Sequence, residues 1–364
     1  MFGRMMNNYY YGKSGKGDFR KDDLPENRWQ LFWDTLRPRM SGLFRLNLIY
    51  MVVWLPAILV LVINSMNLIS NMSTILSAQD GSLRIAVEES VNTDNPLTYT
   101  DEDIANIASV DLNGYAQSVL LHTLLLLVPC IAITGPATAG LSYVTRNWAR
   151  DEHAFVWSDF KDAVKENWKQ SLVISVITSL LPLLIYMGWR FYGDLASRQP
   201  LMLVPQVLVL MLGIVWAICV TYAHPLIVTY ELKMKGVLRN SLLLGIARLP
   251  MSVGIRLLHC VPLALGFLLC MIWNPLYGIM ILAAYYILIG FSLSRFITAS
   301  FTNAVFDKYI NSHMEGVEIN RGLRKETDEE DEDEEDEEDE EGGEDDDDDE
   351  DDASSGGVDA PDGV

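Results

Sequence analysis

Hydrophobic positions in this chain do not recur at every second or every third to fourth residue. They run together in blocks of about twenty or more, separated by polar stretches. Such blocks match the roughly 20 residues that an α-helix needs to cross a hydrocarbon core about 30 Å thick. A bilayer admits only helices or closed barrels, because every backbone polar group within it has to be satisfied internally. The pattern predicts six spans, at about 43–66, 118–140, 170–190, 201–225, 251–273 and 275–300. Asn47 and Pro56 interrupt the first; the proline reads as a kink satisfied by neighbouring helices, a packing feature. Spans 5 and 6 meet at Trp273, Asn274 and Pro275, a tight polar turn that makes them a helical hairpin.

Between the spans the cations are unevenly shared. Residues 1–45 hold nine Lys or Arg, 141–169 five, 226–256 five, and the chain from Arg295 onward five, which together are 24 of 27. The opposite connections hold only Arg84, Arg190 and Arg198. Under the positive-inside rule both termini and both basic connections are expected in the cytoplasm. The long segment 67–117 then lies outside, with eight Asp or Glu against Arg84. Thr100 with Asp103 ahead of Ile104 and Ile107 has the spacing of a capping box and predicts a short helix there. The acids Asp101, Glu102 and Asp103 read as the first turn of that helix, where they suit the macrodipole, rather than as a cation site.

Charge divides the chain into two physical objects. The formal net charge is −22, yet residues 326–362 carry 26 of the 49 acids and no cation. The 27 Lys and Arg face the 23 remaining acids, so residues 1–325 sum to +4, as suits a body lying against anionic lipid. The expected organisation is a basic arm over 1–42, a six-span domain over 43–312 and an acidic tail over 313–364. Like-charge repulsion and the lack of apolar residues predict a disordered tail, a solvated spacer without the ligand and glycine order of a calcium loop. The polar, charged start of the chain lacks a signal-peptide pattern, so span 1 is expected to direct insertion.

The connection after span 2 is the most informative. Gly135, Ala137, Ala139 and Gly140 are small residues that permit close helix contact. Trp157, Phe160, Val164 and Trp168 then fall at helical spacing, with Asp159, Lys161, Asp162, Lys165, Glu166 and Lys169 mostly on other faces. This predicts an amphipathic cytoplasmic elbow helix that rests on headgroups or docks a partner. The motifs Gly135-Pro136-Ala137-Thr138-Ala139-Gly140, Tyr143-Val144-x-Arg146, Arg150-Asp151-Glu152, and Phe155-x-x-x-Asp159-Phe160 through Asn167-x-Lys169-Gln170 resemble the YesL-like bacterial membrane proteins, a family of unknown function. The resemblance runs from about Trp29 to Asn311; the long outer loop and the acidic tail depart from it. It implies a multispanning protein of Gram-positive-type bacteria, often encoded beside sugar-uptake transporters and their regulators. On that basis Pro136, Arg146, Arg150, Asp151, Glu152, Asp159, Phe160, Trp168 and Lys169 are the candidate docking or structural residues of the elbow. A weaker internal likeness pairs Asn167-Trp168-Lys169-Gln170-Ser171-Leu172 with Arg239-Asn240-Ser241-Leu242, as in two parallel hairpin repeats.

Other chemistry is thin. GKSGKG at 12–17 has Asn7 where a phosphate loop needs glycine and follows no strand, so it reads as a flexible basic arm. The five histidines show no zinc-ligand spacing; His122, His224 and His259 lie in or near spans, where each is a candidate to line a polar path. Cys130, Cys219, Cys260 and Cys270 all sit in apolar blocks and read as buried, reduced hydrophobes. Arg295 is expected to snorkel to the cytoplasmic interface. No nucleophile, dyad or paired carboxylate pattern is present. The expectation is an all-α polytopic membrane protein, non-enzymatic, with no cofactor and no nucleic-acid partner. Its partners are membrane lipid and, through the resemblance, ABC-type sugar-transporter components; a transporter or channel is the alternative.

Overall fold

In a computed structural model the described residues are 24–91 and 96–324, and among them the only regular structure is helical. The glycine-lysine motif at 12–17 and the acidic run from 326 lie outside the described residues. The chain divides into two units, Asn27–Gly322 and a smaller one made of Met1–Glu26 with Leu323–Val364. In the described part of the smaller unit the Arg324 N–H donates to the Pro25 carbonyl at 3.1 Å.

The larger unit opens with α1 (Arg28–Leu36), capped by the Asn27 side chain, which accepts from the Gln30 N–H. Helix α2 (Met40–Gln79) has 40 residues, which at about 1.5 Å each is roughly twice the hydrocarbon thickness. The first span therefore does not stop at residue 66 as expected. Polar residues dominate its last three turns, but nothing there breaks a helix before Gly81, which takes a φ of 81°. Helices α3 (Ser82–Ser90) and α4 (Asp101–Ala108) follow, so much of the expected outer loop is helical. The capping box of α4 is present: the Asp103 N–H donates to Thr100 Oγ1 at 3.1 Å, and the Thr100 N–H returns to Asp103 Oδ2 at 2.9 Å. Hydrogen bonds from the Thr100 hydroxyl and N–H hold the Asp103 carboxyl below its ordinary value.

Helix α5 (Leu112–Ala132) gives way at Ile133 to α6 (Thr134–Ala149), and after a short loop α7 (Ser158–Ala196) follows. A 3-10 turn (Pro200–Met202) leads into α8 (Leu203–Thr229), then α9 (Met234–Ala247) and α10 (Leu249–Ile272). The last column is α11 (Pro275–Tyr285), a π-helical turn (Tyr286–Gly290) and α12 (Phe291–Tyr309). Asn274 caps α11 by accepting from the Leu276 N–H, which makes the expected hairpin turn. Six of these helical stretches are long and apolar enough to cross a membrane, and the protein is an all-α polytopic membrane protein.

Each crossing stretch carries at least one irregularity. Five hold an interior proline, at Pro56, Pro129, Pro182, Pro225 and Pro262, and the sixth holds the π-helical turn. A π turn leaves backbone groups without their usual partners, and inside a membrane those must be satisfied by protein. Asn47 does this. Its fully buried side chain donates to the Tyr286 and Ile287 carbonyls at 2.8 Å each and accepts from the Phe291 and Ser292 N–H groups at 3.0 Å each. The polar residue expected merely to interrupt span 1 thus fills its hydrogen-bonding capacity by locking span 6 against it.

Candidate functional site

The candidate residues gather at the end of the bundle that holds α6, α9 and the start of α7. The site begins where α5 stops. Pro136 lacks the N–H that would reach back to Ala132, and the helix is interrupted at Ile133 before α6 begins. Gly135 lets α6 cross α7: a Cβ there would collide with the Ser171 carbonyl and lie 2.7 Å from Ser175 Oγ. One turn on, a Cβ on Gly140 would lie 2.7 Å from the Phe160 carbonyl and 2.8 Å from its ring. Of the 16 residues in α6, 13 are buried. The small-residue stretch is therefore the buried crossing itself, beyond the end of span 2 rather than its last turn.

Helix α6 ends in a cap built by the Arg150-Asp151-Glu152 motif. Asp151 takes a left-handed φ of 57°, the Asp151 N–H donates to the Trp148 carbonyl at 3.2 Å, and the Glu152 N–H donates to the Asn147 carbonyl at 2.8 Å. This is a Schellman cap with aspartate where glycine is usual. Arg39, from the start of α2, offsets that substitution. It donates to the Trp148 carbonyl at 2.5 Å, to Asp151 Oδ1 at 2.9 Å and to the Glu152 carbonyl at 3.3 Å, a cation at the negative end of the helix. Arg150 pairs with Glu152 at 3.1 Å, and Arg321 reaches the same carboxylate at 3.5 Å. Arg146 lies deeper, its Nε buried without a partner; burial, and then the Arg150 charge, lower its pKa from the ordinary value.

Asp159 accepts from the Phe155 N–H at 2.9 Å and so fixes the loop entering α7. The expected aromatic face of the elbow then divides. Phe160 is 6% exposed and packs with Val164 against α6, while Trp157 is 61% exposed and Trp168 is 45% exposed. Lys169 lies over the Trp168 ring at 5.6 Å. The elbow helix is also no separate element, because it continues unbroken into span 3 as α7. The pattern of small residues in α6 favours this, since it holds Phe160 inward and leaves nothing to bend the helix at residue 170.

A second network had no motif to announce it. Asp307, 6% exposed in α12, receives Arg28 at 2.5 Å and the Asn311 amide at 2.6 Å, and Tyr230 donates to Asn311 Oδ1 at 2.7 Å. Burial, and then the Asp307 charge, push Tyr230 up to about 12. The signal available was a lone aspartate on the helix face that carries Phe296 and Asn303. Asn303 donates to the Arg146 carbonyl at 3.3 Å and Gln170 to the Leu232 carbonyl at 2.8 Å, which tie α12, α6, α7 and the 230–233 turn together. The matched tetrads of the weak internal repeat fall at unlike places, one near the start of a crossing helix and one inside α9.

Among the described residues no three His, Cys, Asp or Glu side chains come together as a metal site. His122 stands in a surface recess with Asn64, Asn67 and Asn71, away from the other histidines. Of the free cysteines Cys219 is buried, but Cys260 is exposed on the helix surface, against the expectation that all four are buried.

The fold defines a helical polytopic membrane protein. The family described as "Protein of unknown function, DUF624" matches residues 116–189, which span most of α5, all of α6 and most of α7. Over 149 residues, 39% of this chain and 68% of the relative, the sequence is 27% identical to "Uncharacterized protein YesV" of Bacillus subtilis (strain 168). No solved structure matches significantly. These findings fit a family of unknown function related to the YesL-like proteins, and the motifs that carry the resemblance all lie inside the matched segment.

Proposed function

We propose that this chain is a non-enzymatic accessory or regulatory membrane protein that works with a carbohydrate-uptake system of the bacterial cell membrane, its termini in the cytoplasm. The observation that carries the accessory role is the rim of exposed aromatics, Phe155 at 64%, Trp157 at 61% and Trp168 at 45%, held on a frame locked by Arg39 and the α6 cap. Exposed tryptophans are what the hot spots of protein interfaces favour. The carbohydrate part rests on the resemblance alone, and ABC-type sugar-transporter components are the partners it implies. The test is co-purification in mild detergent with the Trp157→Ala, Trp168→Ala pair. Loss of a specific partner with unchanged insertion supports the reading; unchanged partners with weaker membrane seating of this rim would make it a lipid-facing belt instead.

A transporter or channel is the second reading, and what favours it is the interior proline or π-helical turn in every crossing stretch, since transporters build sites where helices depart from regularity. Saturable solute flux in liposomes with no partner added, surviving the two tryptophan substitutions, would establish it over the accessory role. Reporter fusions at Ser90, Asp162 and Gly236 test the orientation. A cytoplasmic signal at Ser90 would reverse it.

A further inference from the structure

A cavity of about 300 Å³ opens within the crossing helices, between α2, α10 and the π-helical turn with α12. Arg256 of α10 and Arg295 of α12 both line it, so Arg295 is part of an internal wall rather than simply reaching for the interface. His259 stands beside them, its Nε2 donating to the Ser294 carbonyl at 3.0 Å. Trp54 and Phe291, stacked at 5.4 Å, form an aromatic wall. Among the described residues no Asp or Glu lines the cavity and neither arginine is in an ion pair. The Arg256 Nε is buried without a partner. Behind the wall His224 is 3% exposed, with both ring nitrogens unpartnered and within electrostatic reach of both arginines.

Guanidinium groups in the low-dielectric interior are costly unless compensated, and charges kept inside a membrane domain face a partner or a ligand. The described residues supply no counter-charge here, which leaves room for an anion from solution or lipid. A carboxylate carries one negative charge and two oxygens, which leaves one of the two cations uncompensated. A phosphate monoester or inorganic phosphate has more oxygens and up to two charges, and a lipid phosphodiester, though singly charged like a carboxylate, has tetrahedrally arranged oxygens that accept two arginine forks from different directions. We propose that this cavity binds a phosphate group held between Arg256 and Arg295, with the aromatic wall against whatever the phosphate is attached to. Leu258 and Val261 of the same wall are exposed on the bundle surface, so both a phospholipid headgroup and a soluble phosphate have access. The proposal stands independently of the docking rim.

The test uses the full chain in nanodiscs of phosphatidylcholine alone or of phosphatidylcholine mixed with phosphatidylglycerol. Thermal unfolding is followed with inorganic phosphate or with chloride at equal ionic strength, and retained lipid is read by native mass spectrometry. Ligand that binds only the folded state raises the midpoint by mass action. The expected result is stabilisation by phosphatidylglycerol or by inorganic phosphate, but not by chloride, that disappears in the R256Q/R295Q double variant. That variant without ligand should be at least as stable as the natural protein, because two uncompensated charges are gone; a purely structural role for the arginines predicts the opposite. Retention of phosphatidylglycerol that is lost in the variant assigns the phosphate to lipid, and a response to inorganic phosphate in phosphatidylcholine discs assigns it to a solute. If the double variant does not insert, R256K/R295K keeps the charges without the forks and should weaken the response about tenfold. No response to either probe, an equal response to chloride, or a response that survives the substitutions would overturn the proposal.

Discussion

The two ends of the bundle are built on different principles, and helix α8 displays both. From Leu203 to Ala217 only Gln206 is buried, whereas every residue from Ile218 to Val228 is. The same contrast separates whole elements: α5 has no buried residue and α11 only Gly278, while most of α6 is buried. At the splayed end the helices present Leu, Ile and Met outward, which suits lipid tails because hydrocarbon is as apolar as the side chain. At the packed end the contacts between helices are small residues, buried hydroxyls and amides, and caps closed by arginine. Helix association in a membrane gains little from apolar burial, so a unique arrangement there has to be specified by close packing and hydrogen bonds. The packed end has these and therefore fixes the fold.

Substitutions should read out that difference directly. Asn47→Leu should have the largest effect, since it strips partners from two carbonyls and two N–H groups at the π turn; a loss of about 3–5 kcal/mol is expected. Unfolding in mixed micelles measures it, and a loss under about 1 kcal/mol would mean that span 6 satisfies its own bulge. Phe160→Ala should come next, at about 3 kcal/mol, because it empties the space between α6 and α7, whereas Trp157→Ala three residues earlier should leave stability unchanged. Equal losses at both positions would show that the elbow is packed on its outer side too.

A pH titration sharpens the comparison at smaller amplitude. Tyr230 is raised to about 12 in the folded chain from an ordinary value near 10, so between those values the folded state holds a proton that the unfolded state releases. Stability should be fully present below about pH 10 and fall as pH rises toward 12. Tyr230→Phe should flatten that decline. An unaltered slope would place the titration elsewhere at the packed end. At the splayed end Leu125→Ala, on a side chain 57% exposed, should stay within about 0.5 kcal/mol.

How much of this was legible depends on the range of the physics involved. The six crossing stretches, the turn at Asn274 and the capping box at Thr100 and Asp103 depend on residues within a helix length of one another, and the chain order already contains them. Hydrophobic length alone decides membrane crossing, because the bilayer and not the protein sets that requirement. The site was legible in part. Gly135 and Gly140 announced a close crossing, but which helix they cross, and that Phe160 turns inward while Trp157 and Trp168 stay out, follows from where α7 lies. Arg39 at the α6 cap, Arg28 on Asp307 and Asn47 on the π turn join residues more than 100 positions apart. No local pattern encodes a partner at that distance, since a single buried polar side chain looks the same in sequence whether it is satisfied or not. The sequence by itself therefore determined which segments enter the membrane and where their helices begin. Only the tertiary structure decided which polar groups meet, because hydrogen bonds and charge pairs act over a few ångströms that the chain reaches only once it is packed.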